Sequence, residues 1–541
     1  MKIALNEQWT RGLAMAACLA LVPACSASSS DGAGGSGFPD DGGADDPVGD
    51  GDGEGDDGAD GGAPPVGPGV GQGGAQDFGQ FRAILEAGDI PGPETLDDVG
   101  FFNEHKIAFG APDCGDDLCV HGTLGVMGNM ISGANCTLVL LGMNTPLDPA
   151  ELDRPPLNLA IAVDTSGSMA GEPIEHVREG LRRMSDALRP EDRVSIIAFE
   201  DGATVLAEAA EGGSAELQLA IASLEAEGST NIYDGLRTAY ELVQDYADPE
   251  RQNRVMLLSD GQSTTGLIND ARLLEMSAAH AIEGIGLSTV GMGLNFDPSL
   301  MRGLSERGGG ALYFLENHAA VEEVFVEEAQ ALLLPLASEV DLQLDVGSGY
   351  ELRGLYGTKL ATVGLQSAHL EIPSLHIAHR ESTSDNSGGR RGGGGAIIAE
   401  LMPAPGAAPD ATDVGTVSMR YSVPGTDEQV YAQVDITSEL APGETPEQGQ
   451  FETEGTEKAF VALNLYMGFR IAAERAEVGD DAAALNLLYI IDDNVERWLQ
   501  TNEDADIEDD LRYVKMFSDN LIARGAAVPP PSLPPEPWPT D

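Results

Sequence analysis

Between residues 157 and 335, short apolar runs alternate with segments of helical periodicity. Runs at 157–164, 193–199, 254–260, 285–293 and 311–315 read as buried strands, with an edge strand near 204–209. Apolar runs of this length, closed by polar turn residues, are typical of parallel strands covered on both faces. Ile174, Val177, Leu181, Met184 and Leu188 recur at three- and four-residue steps behind Pro173, which marks an amphipathic helix with proline in its first turn. The same periodicity predicts helices over about 232–246, 268–282, 298–307 and 318–334. Strand and helix in alternation predict an α/β fold with a doubly wound, mostly parallel sheet.

The pattern changes on either side of this unit. Short strand-like runs at 339–344, 351–355, 369–372, 396–401, 415–421 and 429–436 predict a β-sandwich-like region over 336–440. Three apolar stripes then predict a helical region over 441–526: one from Phe460 to Ile471, one from Leu485 to Trp498, one from Leu511 to Leu521. Upstream, Phe78, Phe81, Ile84 and Leu85 share one helical face, a second helix precedes Phe101 and Phe102, and β-like runs follow at 119–126 and 136–143. Residues 78–156 are therefore expected to form a small N-terminal flanking segment. Residues 25–77 are mostly Gly, Asp, Ala and Pro, and cannot bury a core, so they predict a disordered tether. A Pro-rich tail is expected over 527–541, and a Gly/Ser/Arg loop over 382–395.

Charge narrows the function. The chain has 541 residues, with 29 Lys and Arg against 90 Asp and Glu, a formal net charge of −61. Residues 31–60 hold 11 acidic residues and no basic one, yet the remainder is acidic as well. Such a chain repels nucleic-acid phosphates and suits divalent cations or basic partners. A solvated acidic surface accounts for most of these residues.

The first 24 residues read as an export signal. Lys2 and Arg11 are followed by an apolar run, residues 12–24, that is too short to span a bilayer. Cys25 after Leu21-Val22-Pro23-Ala24 resembles a bacterial lipoprotein cleavage site, and Ser26 in that resemblance implies sorting to the outer membrane. The expected membrane contact is this lipid anchor alone, on the periplasmic side or the cell surface. An exported chain permits disulfides. Cys114 and Cys119 are favoured by their short, local loop, with Cys119–Cys136 across a hairpin still open. His369, His376 and His379 lie around a strand and read as satisfied or solvent-facing histidines rather than metal ligands.

The chemistry gathers after the first strand. Asp164, Ser166 and Ser168 place a carboxylate and two hydroxyls at alternate positions, with Gly167 permitting a tight loop. Thr230 lies in a loop before a helix, and Asp260 ends a second apolar strand. In a 3-2-1-4-5-6 strand order, ligands bind where the order reverses, between strands 1 and 4, and those strands end in Asp164 and Asp260. Five oxygens at one crevice suit Mg²⁺, or Mn²⁺ or Ca²⁺. The pattern Asp-x-Ser-x-Ser, then Thr, then Asp resembles the metal-ion-dependent adhesion site of the von Willebrand factor type A domain, in its bacterial secreted or lipoprotein form. The resemblance spans residues 78–335 and more loosely reaches 524. It implies that the hydroxyls contact the ion, that the Asp residues act directly or through water, and that a ligand's Asp or Glu carboxylate completes the octahedron.

Enzyme chemistry is not expected. An aspartic protease needs a second Asp-Thr/Ser-Gly to form its dyad, and an Asp-x-Asp phosphatase needs a carboxylate where Ser166 stands. No phosphate-binding Gly-x-x-x-x-Gly-Lys loop or Gly-x-Ser-x-Gly elbow is present. The expected function is a cell-envelope lipoprotein that binds a protein ligand, its carboxylate set in a basic or neutral patch, through a metal-dependent site. A periplasmic accessory component for a partner complex is the alternative, and a Mg-dependent hydrolase a distant third.

Overall fold

The computed structural model describes residues 70–71, 77–147, 155–248, 250–260, 265–266, 269–292, 297–315, 325, 335–377, 395–424, 426 and 428–527. The export signal, Cys25 and His379 lie outside these residues, as do the tether up to residue 69, the helix over 318–334 apart from Phe325, the loop over 382–394 and the tail beyond residue 527.

The chain opens with β1 (Val70–Gly71), α1 (Asp77–Glu86), α2 (Asp98–Glu104), β2 (Cys119–Gly128) and β3 (Asn135–Asn144). An α/β unit follows: β4 (Leu157–Asp164), α3 (Glu172–Ala187), β5 (Arg193–Phe199), β6 (Ala203–Glu211), α4 (Ala215–Ala222), α5 (Ile232–Asp245), β7 (Gln252–Ser259), α6 (Asp270–Ile282), β8 (Ile285–Met292), α7 (Pro298–Arg307) and β9 (Leu312–Leu315). The next run is all β: β10 (Pro335–Val346), β11 (Tyr350–Tyr356), β12 (Ala361–Val363), β13 (Ser367–Ile377), β14 (Ile397–Pro403), β15 (Asp413–Ser422), β16 (Gln429–Thr437) and β17 (Gln450–Phe451). Three helices close it: α8 (Glu454–Glu477), α9 (Asp481–Leu499) and α10 (Ala505–Arg524).

The α/β sheet has the order β6-β5-β4-β7-β8-β9. All pairings are parallel except β5 with β6. The order reverses between β4 and β7, as the sequence predicts. β4 is buried along its whole length. Leu159, Ile161 and Val163 enter one face's core, whereas Ala160 and Ala162 face the other, so helices cover both sides. Sequence analysis misses α4, whose Leu219 is 72% exposed, so its apolar residues draw no clean stripe.

The remaining elements form a three-layer body. One antiparallel sheet runs β1-β13-β10-β15-β16, with β12 beside β13; the other runs β11-β14-β3-β2-β17. The second sheet is the middle layer. Val139 and Leu141 of β3 pack into the sandwich core, while Leu138 and Leu140 face the helices. α8 is buried nearly all round, and Phe78, Phe81 and Phe101 cluster on its Phe469. The N-terminal flanking segment is thus no separate wrap. β3 pairs with β14, and α1 packs with α10, because the β2–β3 hairpin cannot bury two apolar faces alone. The tether also ends earlier than expected: Val70 and Gly71 pair with Ile377 and His376, on the edge that β13 leaves open. Cys114 and Cys119 form a disulfide with Cα atoms 5.7 Å apart. His369 bonds Asp341 at 2.7 Å, a carboxylate partner that the sequence does not reveal because β10 is 28 residues away. Among the described residues no helix is long and apolar enough to cross a membrane.

The α/β unit docks on this body through buried charges. Arg302 on α7 reaches Asp97, just before α2, at 2.8 Å, and Lys359 pairs with Asp98. Burial above all, then the neighbouring Asp98, pushes the Asp97 carboxyl up to about 6. Burial likewise pushes Glu306, one turn beyond Arg302, up to about 7, although Arg302 opposes the shift. One Glu306 carboxyl oxygen is buried without a hydrogen-bond partner among the described residues. At the start of β7, Arg254 donates to the Gly309 carbonyl at 3.1 Å and meets His376 of β13. Both are buried, and burial drives the Arg254 guanidinium down to about 10 and the His376 imidazole well below its ordinary range.

Glu306 binds its proton more tightly folded than unfolded, so its contribution is complete below about pH 4.5 and is lost as pH rises through about 7. Replacing it by glutamine should therefore stabilise the α/β unit relative to wild type as pH rises. The gap should widen by on the order of 2 kcal/mol between pH 4.5 and 8 in urea unfolding. A gap that does not change with pH would show that this carboxyl stays solvated.

Candidate metal centre

β4 carries Asp164 to the C-terminal edge of the sheet, where its side chain is fully buried. Both carboxyl oxygens are engaged. Oδ1 accepts the Ser166 N–H at 2.9 Å, and Oδ2 accepts the Ser259 hydroxyl at 2.6 Å. A short 3-10 turn over residues 167–169 follows, and it brings the Ser166 and Ser168 Oγ atoms to 3.0 Å. The two hydroxyls thus converge through a turn rather than by strand alternation, because the chain has already left the sheet. Ser166 is buried and Ser168 exposed, so the pair opens from the crevice outward.

A second loop closes on the first. The Gly167 N–H donates to the Gly228 carbonyl at 3.2 Å, and the Glu227 N–H to the Thr165 carbonyl at 2.7 Å. This seats buried Thr230 beside the serine turn. Asn231 then caps α5 by accepting the Asp234 N–H, and its amide donates to the Asp201 carbonyl at 3.0 Å. Thr265 donates its N–H to the Thr230 carbonyl at 3.0 Å, tying in the loop after Asp260. The glycine this arrangement requires is Gly228, at φ +83°, where a Cβ would lie 2.7 Å from a Glu200 carboxyl oxygen. Gly167, singled out in the sequence, has no positive φ.

Asp260 follows β7 directly and is half-buried. Its carbonyl accepts the Asp297 N–H at 3.0 Å, and the Asp297 side chain caps α7. Asp164, Ser166, Ser168, Thr230 and Asp260 are therefore brought to one crevice at the point where the strand order reverses. Sequence analysis missed Ser259, although its place beside Asp260 on a strand next to β4 was the available signal.

Burial pushes the Asp164 carboxyl up to about 6; the hydrogen bonds from Ser259 and Ser166 oppose this, and Asp260 adds a smaller upward push. A buried carboxylate facing hydroxyls and a second carboxylate is a donor set of hard oxygens, which fits a divalent cation of the Mg²⁺ class. The set holds two carboxylates and three hydroxyls; no group of three or more His, Cys, Asp or Glu able to hold a metal is found among the described residues.

Residues 159–262 match the family model of the von Willebrand factor type A domain. The chain contains a von Willebrand factor type A domain. The matched span runs from β4 to just past Asp260, and so encloses the whole oxygen set. An uncharacterised protein of Synechocystis, sll0103, is 25% identical over 407 residues, covering 71% of this chain and 91% of its own. The uncharacterised Escherichia coli protein YfbK is 28% identical over 215 residues, 38% of this chain but 37% of its own length. Among solved structures, a von Willebrand factor type A protein from Catenulispora acidiphila aligns over 74% of this chain and 96% of its own, with 16% identity and a TM-score of 0.47.

Ser259 positions Asp164 in the type A domain without being in the oxygen set itself. Ser259→Ala should weaken Mg²⁺ binding about tenfold by titration calorimetry while leaving the unfolding midpoint within a few degrees. Unaltered Mg²⁺ affinity would show that this hydroxyl does not orient the carboxylate.

Proposed function

We propose that the chain is a cell-envelope lipoprotein whose type A domain binds a protein ligand through a divalent cation. Type A domains commonly mediate protein–protein interaction. The observation that carries the reading is the convergence of Asp164, Ser166, Ser168, Thr230 and Asp260 on one crevice. These residues would hold Mg²⁺, which supplies a Lewis-acidic point for a ligand oxygen. Two carboxylates neutralise a dication, and about six oxygen ligands are needed, so at least one position remains for water or for a partner's Asp or Glu carboxylate. The buried Asp164 and Ser166 fix the inner wall, and the exposed Ser168 stands at the mouth.

The placement of the crevice suits binding in trans. Arg254 and His376 dock the domain near the start of β7, whereas Asp260 follows its end, about six residues and roughly 20 Å along the strand. Gly71 pairs with that same His376. On this reading a lipid on Cys25 anchors the chain from the end remote from the cleft, which leaves the cleft facing outward. The proposal is of a binding protein rather than an enzyme, with the crevice oxygens serving as the donor set of a cation.

Mg²⁺ or Mn²⁺ should bind the wild-type chain and not Asp164→Ala, with the sheet intact by circular dichroism. A partner captured from envelope fractions should be lost with EDTA and with Thr230→Ala, which removes one hydroxyl and no charge. Full capture by Thr230→Ala, or capture indifferent to EDTA, would move recognition to the β or helical layers. Anchoring has its own check: Cys25→Ser should shift the protein from the membrane fraction to the soluble one, and a wild-type protein already soluble would exclude the lipid.

A further inference from the structure

We propose that the cleft selects ligands whose metal-binding carboxylate is flanked by lysine or arginine, and that Glu200, Asp201 and Glu227 read those flanks. The proposal rests on the metal-dependent reading of the same crevice. The described residues that surround it, 164–171, 199–203, 225–231, 260, 265–266, 269 and 297, contain no Lys, Arg or His. Besides Asp164 and Asp260 they carry Glu200, Asp201, Glu225, Glu227 and Asp297.

Hydrogen bonds tie two of these acids to the loops of the oxygen set, and a third lies against the same loops. The Glu227 N–H bonds the Thr165 carbonyl, between Asp164 and Ser166, at 2.7 Å. Glu200 lies over Gly228, whose carbonyl holds the Gly167 N–H. The Asp201 carboxylate accepts the hydroxyl of Ser229, the neighbour of Thr230. Asp201 and Glu227 are exposed, and Glu200 is half-buried. Of the nearby cations, Arg178 on α3 is held by the Leu224 carbonyl and Glu175, and exposed Arg272 in the first turn of α6 is one positive charge against the five acids.

A dication cancels Asp164 and Asp260, and the remaining acids leave the mouth of the cleft negative. A bare carboxylate must approach against that field, whereas one set between basic side chains meets the ion with its carboxylate and the rim with its flanks. The rim thus acts as a filter: it disfavours acidic and neutral surroundings and admits basic ones.

Two synthetic peptides carrying one Asp, flanked by Lys-Lys on both sides or by Ser-Ser on both sides, would test this on the full chain by fluorescence anisotropy at low salt. A Lys-flanked peptide with Asn in place of Asp reports charge attraction alone. We expect Mg²⁺-dependent binding in which the Lys-flanked Asp peptide is favoured about tenfold over the Ser-flanked one. The triple variant Glu200→Gln, Asp201→Asn, Glu227→Gln should abolish that preference. Glu477→Gln, Glu503→Gln, Glu508→Gln, an equal loss of charge on the helical layer, should keep it. A preference retained by the rim variant, with binding still dependent on Mg²⁺, overturns the filter and leaves the metal reading intact. Equal binding of the Asn and Asp peptides, or binding indifferent to EDTA, or no Mg²⁺-dependent binding at millimolar peptide, overturns the metal reading and the filter with it.

Discussion

A carboxylate at the end of a fully buried strand is costly to ionise, and the organisation of the α/β unit follows from keeping Asp164 there. Burial, with a smaller push from Asp260, raises its pKa, and the Ser166 N–H and the Ser259 hydroxyl offset only part of that. Positive charge in the crevice would lower that cost, and hard oxygens so arranged suit a divalent cation. The neighbouring loops serve the same constraint. Gly228 adopts a left-handed conformation so that its carbonyl can hold the Gly167 N–H, and Asn231 joins the α5 cap to the Asp201 carbonyl. Small geometric errors in any of these would move a ligand oxygen.

The rest of the molecule reads as a mount for that crevice. The middle sheet of the body is apolar on both faces, one to the second sheet and one to the helices, which makes the body a single cooperative layer stack. Among the described residues, polar side chains join the α/β unit to it. Arg302, Asp97, Asp98 and Lys359 form one patch, and Arg254 with His376 a second. Buried ionic contacts of this kind fix orientation more than they add stability, because desolvation offsets much of their attraction. α7 spans the two regions: its cap residue Asp297 bonds the Asp260 carbonyl, and its Arg302 grips Asp97.

Much of this was legible in the sequence, for identifiable reasons. Parallel strands buried on both faces give continuous apolar runs, so β4, β5 and β7 stood out and their order placed Asp164 and Asp260 together. Helices with one apolar stripe, such as α3 and α5, were equally plain. What escaped was non-local. Pairing of β3 with β14 joins residues more than 250 positions apart, and the Asp97–Arg302 contact more than 200, and no local periodicity encodes either. α4 was missed because its stripe is broken by an exposed Leu219. In the site, side chains of oxygen type were visible, but the 3-10 turn that joins Ser166 to Ser168 and the hydroxyl of Ser259 behind Asp164 arise only once loops from three strands meet.

Anomalous diffraction from crystals of the protein grown with Mn²⁺ addresses the central claim most directly, because it locates the ion without reference to any partner. The account predicts one strong peak within coordination distance of the Ser166 and Ser168 hydroxyls, between Asp164 and Asp260, and its disappearance in Asp164→Ala. A Mn²⁺ peak elsewhere on the acidic surface with none in this crevice, or a crevice peak that survives Asp164→Ala, would contradict it.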